Sequence, residues 1–147
     1  MGSEFAPRVR HAIYKTFAEG GIPRAATIAH QLRMQVTDVH EAMRELHDAH
    51  AIVLDPRTRE PRMALPFSAV PTPFSVEGGG RSWFANCAWD AFGIPILLGI
   101  DAVITTTCPD CEGRIVYRVE GGGLVDSRGV VHFAVPAAKW WDNIGFT

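Results

Sequence analysis

The chain has 147 residues and a mass of 16.1 kDa, with 47% hydrophobic and 20% charged residues; that suits one folded core, or two small units sharing one, and is too apolar for a disordered chain. Its net charge of −2, from 14 basic and 16 acidic side chains, leaves no cationic surplus to drive nucleic-acid binding. Uncharged runs such as residues 91–100 fall far short of the roughly 20 residues that a membrane-spanning helix needs.

Residues 1–5, MGSEF, read as an initiator plus a cloning remnant. No secretory signal precedes the cysteines Cys87, Cys108 and Cys111, and their count is odd. The expected location is therefore cytoplasmic, with reduced thiols available as ligands or nucleophiles.

Residues 6–60 are expected to form a winged-helix-like unit. Val9, Ile13, Tyr14 and Phe17 mark one face of a first helix that ends near Gly20-Gly21. Pro23 opens a second helical segment carrying Ile28, Leu32 and Met34. Val39, Met43 and Leu46 define a third helix over 36–50, and the run Ala51-Ile52-Val53-Leu54 reads as a short strand turned by Asp55-Pro56. Such a layout suits DNA reading by the third helix, or a packing and partner unit. That helix carries Asp38, Glu41, Glu45 and Asp48 against Arg44 alone. Phosphate would repel those carboxylates, which argues against DNA as a partner. His40, His47 and His50 on the same helix have no cysteine or second cluster near them in sequence and read as solvated side chains.

Residues 61–80 hold Pro61, Pro66, Pro71 and Pro73 and then Gly78-Gly79-Gly80, and are expected to be a linker. The second unit, 81–147, begins with a predicted helix over 82–92, with Ser82 as N-cap and Gly93 and Pro95 as its stop. Strands are predicted over 102–107, 114–119, 124–125 and 130–135, separated by turns at 108–113, 121–123 and 126–129. The class expected is α+β, a small antiparallel sheet packed on a helix.

The sharpest chemical feature is Asn86-Cys87-Ala88-Trp89-Asp90. On a helix, Cys87 and Asp90 at i, i+3 face the same way. A thiolate can bind a soft metal or attack an electrophile, while a carboxyl group moves a proton. The bland alternative is a buried cysteine and a solvated aspartate on an amphipathic helix. Trp83, Phe84, Trp89 and Phe92 are expected to surround the pair, and apolar surroundings raise both pKa values. Cys108-Pro-Asp-Cys111 is a C-x-x-C turn, half of a zinc site, a redox pair, a two-thiolate clamp for a soft ion, or two unlinked cysteines. Trp140-Trp141-Asp142-Asn143-Ile144 reads as a core-anchoring segment or a lid, and His132 as a strand residue facing solvent or a core acceptor. Phosphate-cradling glycine motifs and G-x-S-x-G or H-E-x-x-H patterns do not occur.

The stretch 81–99, with Cys87-Ala-Trp-Asp90 followed by Gly93-Ile-Pro95-Ile-Leu-Leu-Gly99, resembles the alkylmercury (organomercurial) lyase family. The resemblance continues through the strand pair around Cys108 and from Val131-His-Phe-Ala-Val-Pro136 to Trp140-Trp141-Asp142-Asn143-Ile144, and members carry a winged-helix-like unit in front. It implies cleavage of a carbon–mercury bond by protonolysis, with Cys87 binding mercury and Asp90 delivering the proton. Mercury is then substrate and product, and no resident cofactor is required. The family carries a second catalytic cysteine just after the segment that here reads 140–147, and no position of this chain inherits that role. One thiolate with Asp90 is therefore expected to bind an organomercurial and cleave it slowly. Cys108 and Cys111 are not a family hallmark; they are expected to bind zinc or another soft metal, or to substitute for the missing thiolate if their turn reaches Cys87. Two alternatives stay open: a non-catalytic protein that binds or senses a soft metal (Hg, Cu or Zn) through its thiols, and a lyase-like scaffold turned to other Cys87 chemistry.

Overall fold

The computed structural model describes residues 4–125 and 128–145. Three helices come first: α1 (Ala6–Ala18), α2 (Ala25–Leu32) and α3 (Val36–Asp48). Each exists because an apolar stripe recurs at helical spacing. Val9, Ile13 and Phe17 of α1, Ile28 of α2, and Val39, Met43 and Leu46 of α3 are all buried. Gly20, at φ 84, turns the chain out of α1, and Arg33, in the left-handed region at φ 55, ends α2. The acidic side of α3 faces water, where Arg44 reaches Glu41 and Asp48 at 4.0 and 3.7 Å.

An antiparallel sheet of eight strands follows. Its strands are β1 (Val53–Leu54), β2 (Pro61–Ala64), β3 (Phe67–Ser68), β4 (Phe74–Gly78), β5 (Arg81–Ala85), β6 (Ala102–Thr107), β7 (Arg114–Glu120) and β8 (Gly123–Leu124), in the order β1-β2-β3-β5-β4-β6-β7-β8. The class is α+β, as expected. A fourth helix, α4 (Ala88–Leu98), lies between β5 and β6 and packs on the sheet through Ala91, Ile94 and Pro95.

Several local expectations are corrected. The 61–80 stretch, expected to be a linker, holds β2, β3 and β4. Its prolines sit at a strand start (Pro61) and in turns, and Gly79 and Gly80 form the two-residue connection of the β4–β5 hairpin. Both have positive φ, 57 and 73, as a primed hairpin turn requires. Residues 82–85, expected as the start of a helix, belong to β5, in which Trp83 and Ala85 alternate inward. The helix starts only at Ala88 and runs through the expected stop. Pro95 lacks an N–H for Ala91's carbonyl, yet its buried apolar face holds the turn, and Gly99 at φ 62 ends the helix. The alternating run 130–135 forms no strand, having found no partner to pair with. Its residues 132–135 line a cavity, and the 3-10 turn Ala137–Asp142 follows. The turn expected at 126–129 lies partly outside the described residues.

Helices and sheet share one hydrophobic cluster. Phe17 of α1 stacks on Phe67 of β3 with centroids 5.3 Å apart, and Tyr14 meets the same ring edge-on. The Trp83 indole N–H donates to the Phe17 carbonyl at 2.6 Å, and Arg81 donates to the Ala18 carbonyl at 2.7 Å. The end of α1 is thereby tied to β5, the strand that delivers the candidate site.

Candidate functional site

Strand β5 ends at Ala85, Asn86 leaves the sheet, and Cys87 is the N-cap of α4, with extended backbone at φ −153. Cys87 is thus not on the helix as expected. The i, i+3 spacing nevertheless brings it to Asp90, because an N-cap residue and the third residue of the helix face one another. The Cys87 thiol and the Asn86 side chain are the polar neighbours that act on the Asp90 carboxyl. Asn86 is itself held by donating to the Phe67 carbonyl at 3.0 Å. Asp90 is 8% exposed, so it is no solvated aspartate.

The electrostatics follow from burial. Removal from water pushes the Asp90 carboxyl above its ordinary pKa, with the neighbouring Asn86 and Cys87 side chains opposing the shift. Burial also pushes the Cys87 thiol up; the N–H groups of Asp90 and Trp89 oppose the shift and the charge of Asp90 adds to it. The result is an acid biased to keep its proton beside a thiol that gives its own up when a soft cation displaces it.

Both side chains line a cavity of about 350 Å³. Phe74 and Met63 form part of its wall on the sheet side. The 130–145 segment supplies His132, Phe133, Val135, Trp140 and Ile144 on the other. The aromatic surroundings are therefore not those expected. Trp89 is 68% exposed, Trp83 turns toward Phe17, and neither Phe84 nor Phe92 lines the cavity. His132 and Trp140 come from a segment whose side chains reach the cavity through tertiary packing alone. Trp140 is fixed by donating its indole N–H to the Val135 carbonyl at 2.8 Å and by a tilted contact with Phe133. Asn86 adjoins Cys87 in sequence, but only its bond to Phe67 reveals a positioning role. Asp90 also borders a second cleft, on the α1 side, with Arg10, His11, Tyr14 and Trp89. Burial raises the Tyr14 pKa there; Arg10 opposes the shift and the charge of Asp90 adds to it.

Cys108 and Cys111 do not join this cavity. They sit in the β6–β7 turn, closed by the Cys108 N–H donating to the Gly113 carbonyl at 2.8 Å and the Glu112 N–H donating to the Cys108 carbonyl at 2.9 Å. The N–H groups of Cys111 and Asp110, with the neighbouring Cys111 thiol, hold the Cys108 thiol below its ordinary pKa. All three thiols are unbridged. Among the described residues no group of three or more His, Cys, Asp or Glu side chains is placed to hold a metal ion. A four-ligand zinc site at Cys108 and Cys111 is therefore not assembled there, and neither is a His40–His47–His50 site. His47 contacts the backbone of Ile52 and Leu54, and His50 stacks on Trp141.

Residues 67–147 match the family model of alkylmercury lyase, MerB. No curated protein matches the chain. Among solved structures, the chain is similar to one described as the mercury-bound form of MerB2, with a TM-score of 0.68 and 22% identity over 85% of this chain and 60% of that one. The likeness is one of fold, and the chain spans 60% of that protein's length.

Proposed function

The chain belongs to the alkylmercury lyase family, and from that premise we propose that it cleaves carbon–mercury bonds by protonolysis at Cys87 and Asp90. The observation that carries the reading is a thiol and a buried carboxyl lining the same largely apolar cavity. An organomercurial is an apolar group bearing a thiophilic cation, and the cavity offers a counterpart to each part.

The chemistry runs in two steps. Mercury of R–Hg⁺ bonds to the Cys87 sulfur, displacing the thiol proton to solvent or base. The Asp90 carboxyl then gives its proton to the carbon as the carbon–mercury bond breaks, leaving R–H, a sulfur-bound Hg(II) and the Asp90 carboxylate. Thiolate donation through the metal enriches the carbon and makes it basic enough to accept the proton. The raised pKa of Asp90 supports this role, since an ordinary carboxyl would be empty of its proton at neutral pH.

Incubation with phenylmercury should release benzene, measured by headspace gas chromatography. Cys87→Ser should abolish the release, and in a Cys108→Ser/Cys111→Ser background it should abolish retention of the organomercurial as well. Asp90→Ala should retain the mercurial and lose the release. A second reading, capture without turnover, draws on the fact that Cys87 alone among the thiols lines the cavity. Stoichiometric uptake with no benzene would favour it. We place this chemistry in the cytoplasm on the strength of the unbridged thiols. The acidic, water-facing side of α3 gives DNA no role in it.

A further inference from the structure

We propose that the β6–β7 turn is a second mercury site, in which Cys108 and Cys111 together hold one inorganic Hg²⁺ as a two-coordinate bis-thiolate. It rests on the reading above only for the identity of the ion that arrives. The two cysteines stand three residues apart in a single turn whose ends are closed on each other, the Cys108 N–H meeting the Gly113 carbonyl at 2.8 Å. The turn that presents them is fixed by two backbone hydrogen bonds across it, by Pro109, and by Glu112 at φ 58. Gly113 completes the fit, because a Cβ there would lie 3.2 Å from the Cys111 sulfur. Cys111 is exposed, so an ion reaches the pair directly from water.

The number of donors selects the ion. Zinc asks for four ligands, and among the described residues no third acidic, histidine or cysteine side chain joins the pair. A soft cation satisfied by two sulfurs needs nothing more. Binding forms two S–Hg bonds and releases two thiol protons to solvent, with no change of oxidation state. Cys87 offers one sulfur in a largely apolar cavity. The turn offers two, the second at an effective concentration on the order of millimolar or above once the first is bonded. Inorganic mercury should therefore settle on the turn and leave the cavity to the organic species.

The test uses the full chain, HgCl2 as probe and a free monothiol at about 0.1 mM, below that effective concentration, with native mass spectrometry and the thiolate-to-mercury ultraviolet band as readouts. Cys87→Ser should keep one Hg per chain and release two protons per Hg. Cys108→Ser and Cys111→Ser should each lose that retained ion entirely, with circular dichroism unchanged. Retention unaffected by either substitution, or falling by half in each, overturns the proposal. A protein that frees no benzene from phenylmercury yet retains Hg²⁺ at the turn refutes the lyase reading and leaves this site standing. The converse result does the opposite.

Discussion

At the scale of single residues, Asp90 decides how the site responds to pH. Its folded pKa lies above that of an exposed carboxyl because burial penalises the charged form. The folded state therefore binds the proton more tightly than the unfolded one. Stability tied to this group is fully present below the ordinary carboxylate pKa and is lost as pH rises through the raised value. Asp90→Asn removes the buried charge, so it should melt higher than the parent at pH 8. The gap should close as pH falls below the ordinary carboxylate range, as read by thermal denaturation across that window. The same substitution should end benzene release, separating a proton donor from a merely structural acid. The Cys87–Asp90 pairing was legible in the sequence because its spacing survives a shift of the helix start. Asn86, His132 and Trp140 were not, since their roles depend on contacts made across the fold.

At the scale of elements, the sheet taught more than the helices. The three N-terminal helices could be read from their buried stripes, and β6 and β7 from long β-prone runs. Strands β2 and β3, with four and two residues, carry no periodicity of their own and exist through pairing with neighbours. The glycine triplet looked like slack and proved to be a hairpin. Gly78 ends β4 where it meets the next strand, and a Cβ there would be driven into the Asp101 carbonyl. Gly78→Ala should therefore destabilise the protein by about 1–3 kcal/mol, visible as a lower denaturant midpoint with unchanged slope. The opposite error occurred at 130–135, where alternation suggested a strand. Pairing, not pattern, makes a strand, and this segment spends its side chains on the cavity instead.

For the whole molecule, the ring stack of Phe17 on Phe67 and the indole bond from Trp83 join the helical unit to the strand that carries the site. Helices and sheet share one buried cluster, so they should unfold together. Far-ultraviolet dichroism, reporting helices, and near-ultraviolet signal, reporting aromatic packing, should give coincident transitions. Phe17→Ala should cost about 3–5 kcal/mol and move both transitions by the same amount. Two separated transitions would show that the helical unit holds together independently.

The placement of Trp140 at the wall of the Cys87 cavity gives the protein a built-in optical gauge. Mercury quenches indole emission at short range because its strong spin–orbit coupling opens a dark decay route for the excited ring. Adding phenylmercury should dim the protein's emission, and Trp140→Phe should remove most of that dimming while Trp83, buried against Phe17 and outside the cavity lining, goes on shining.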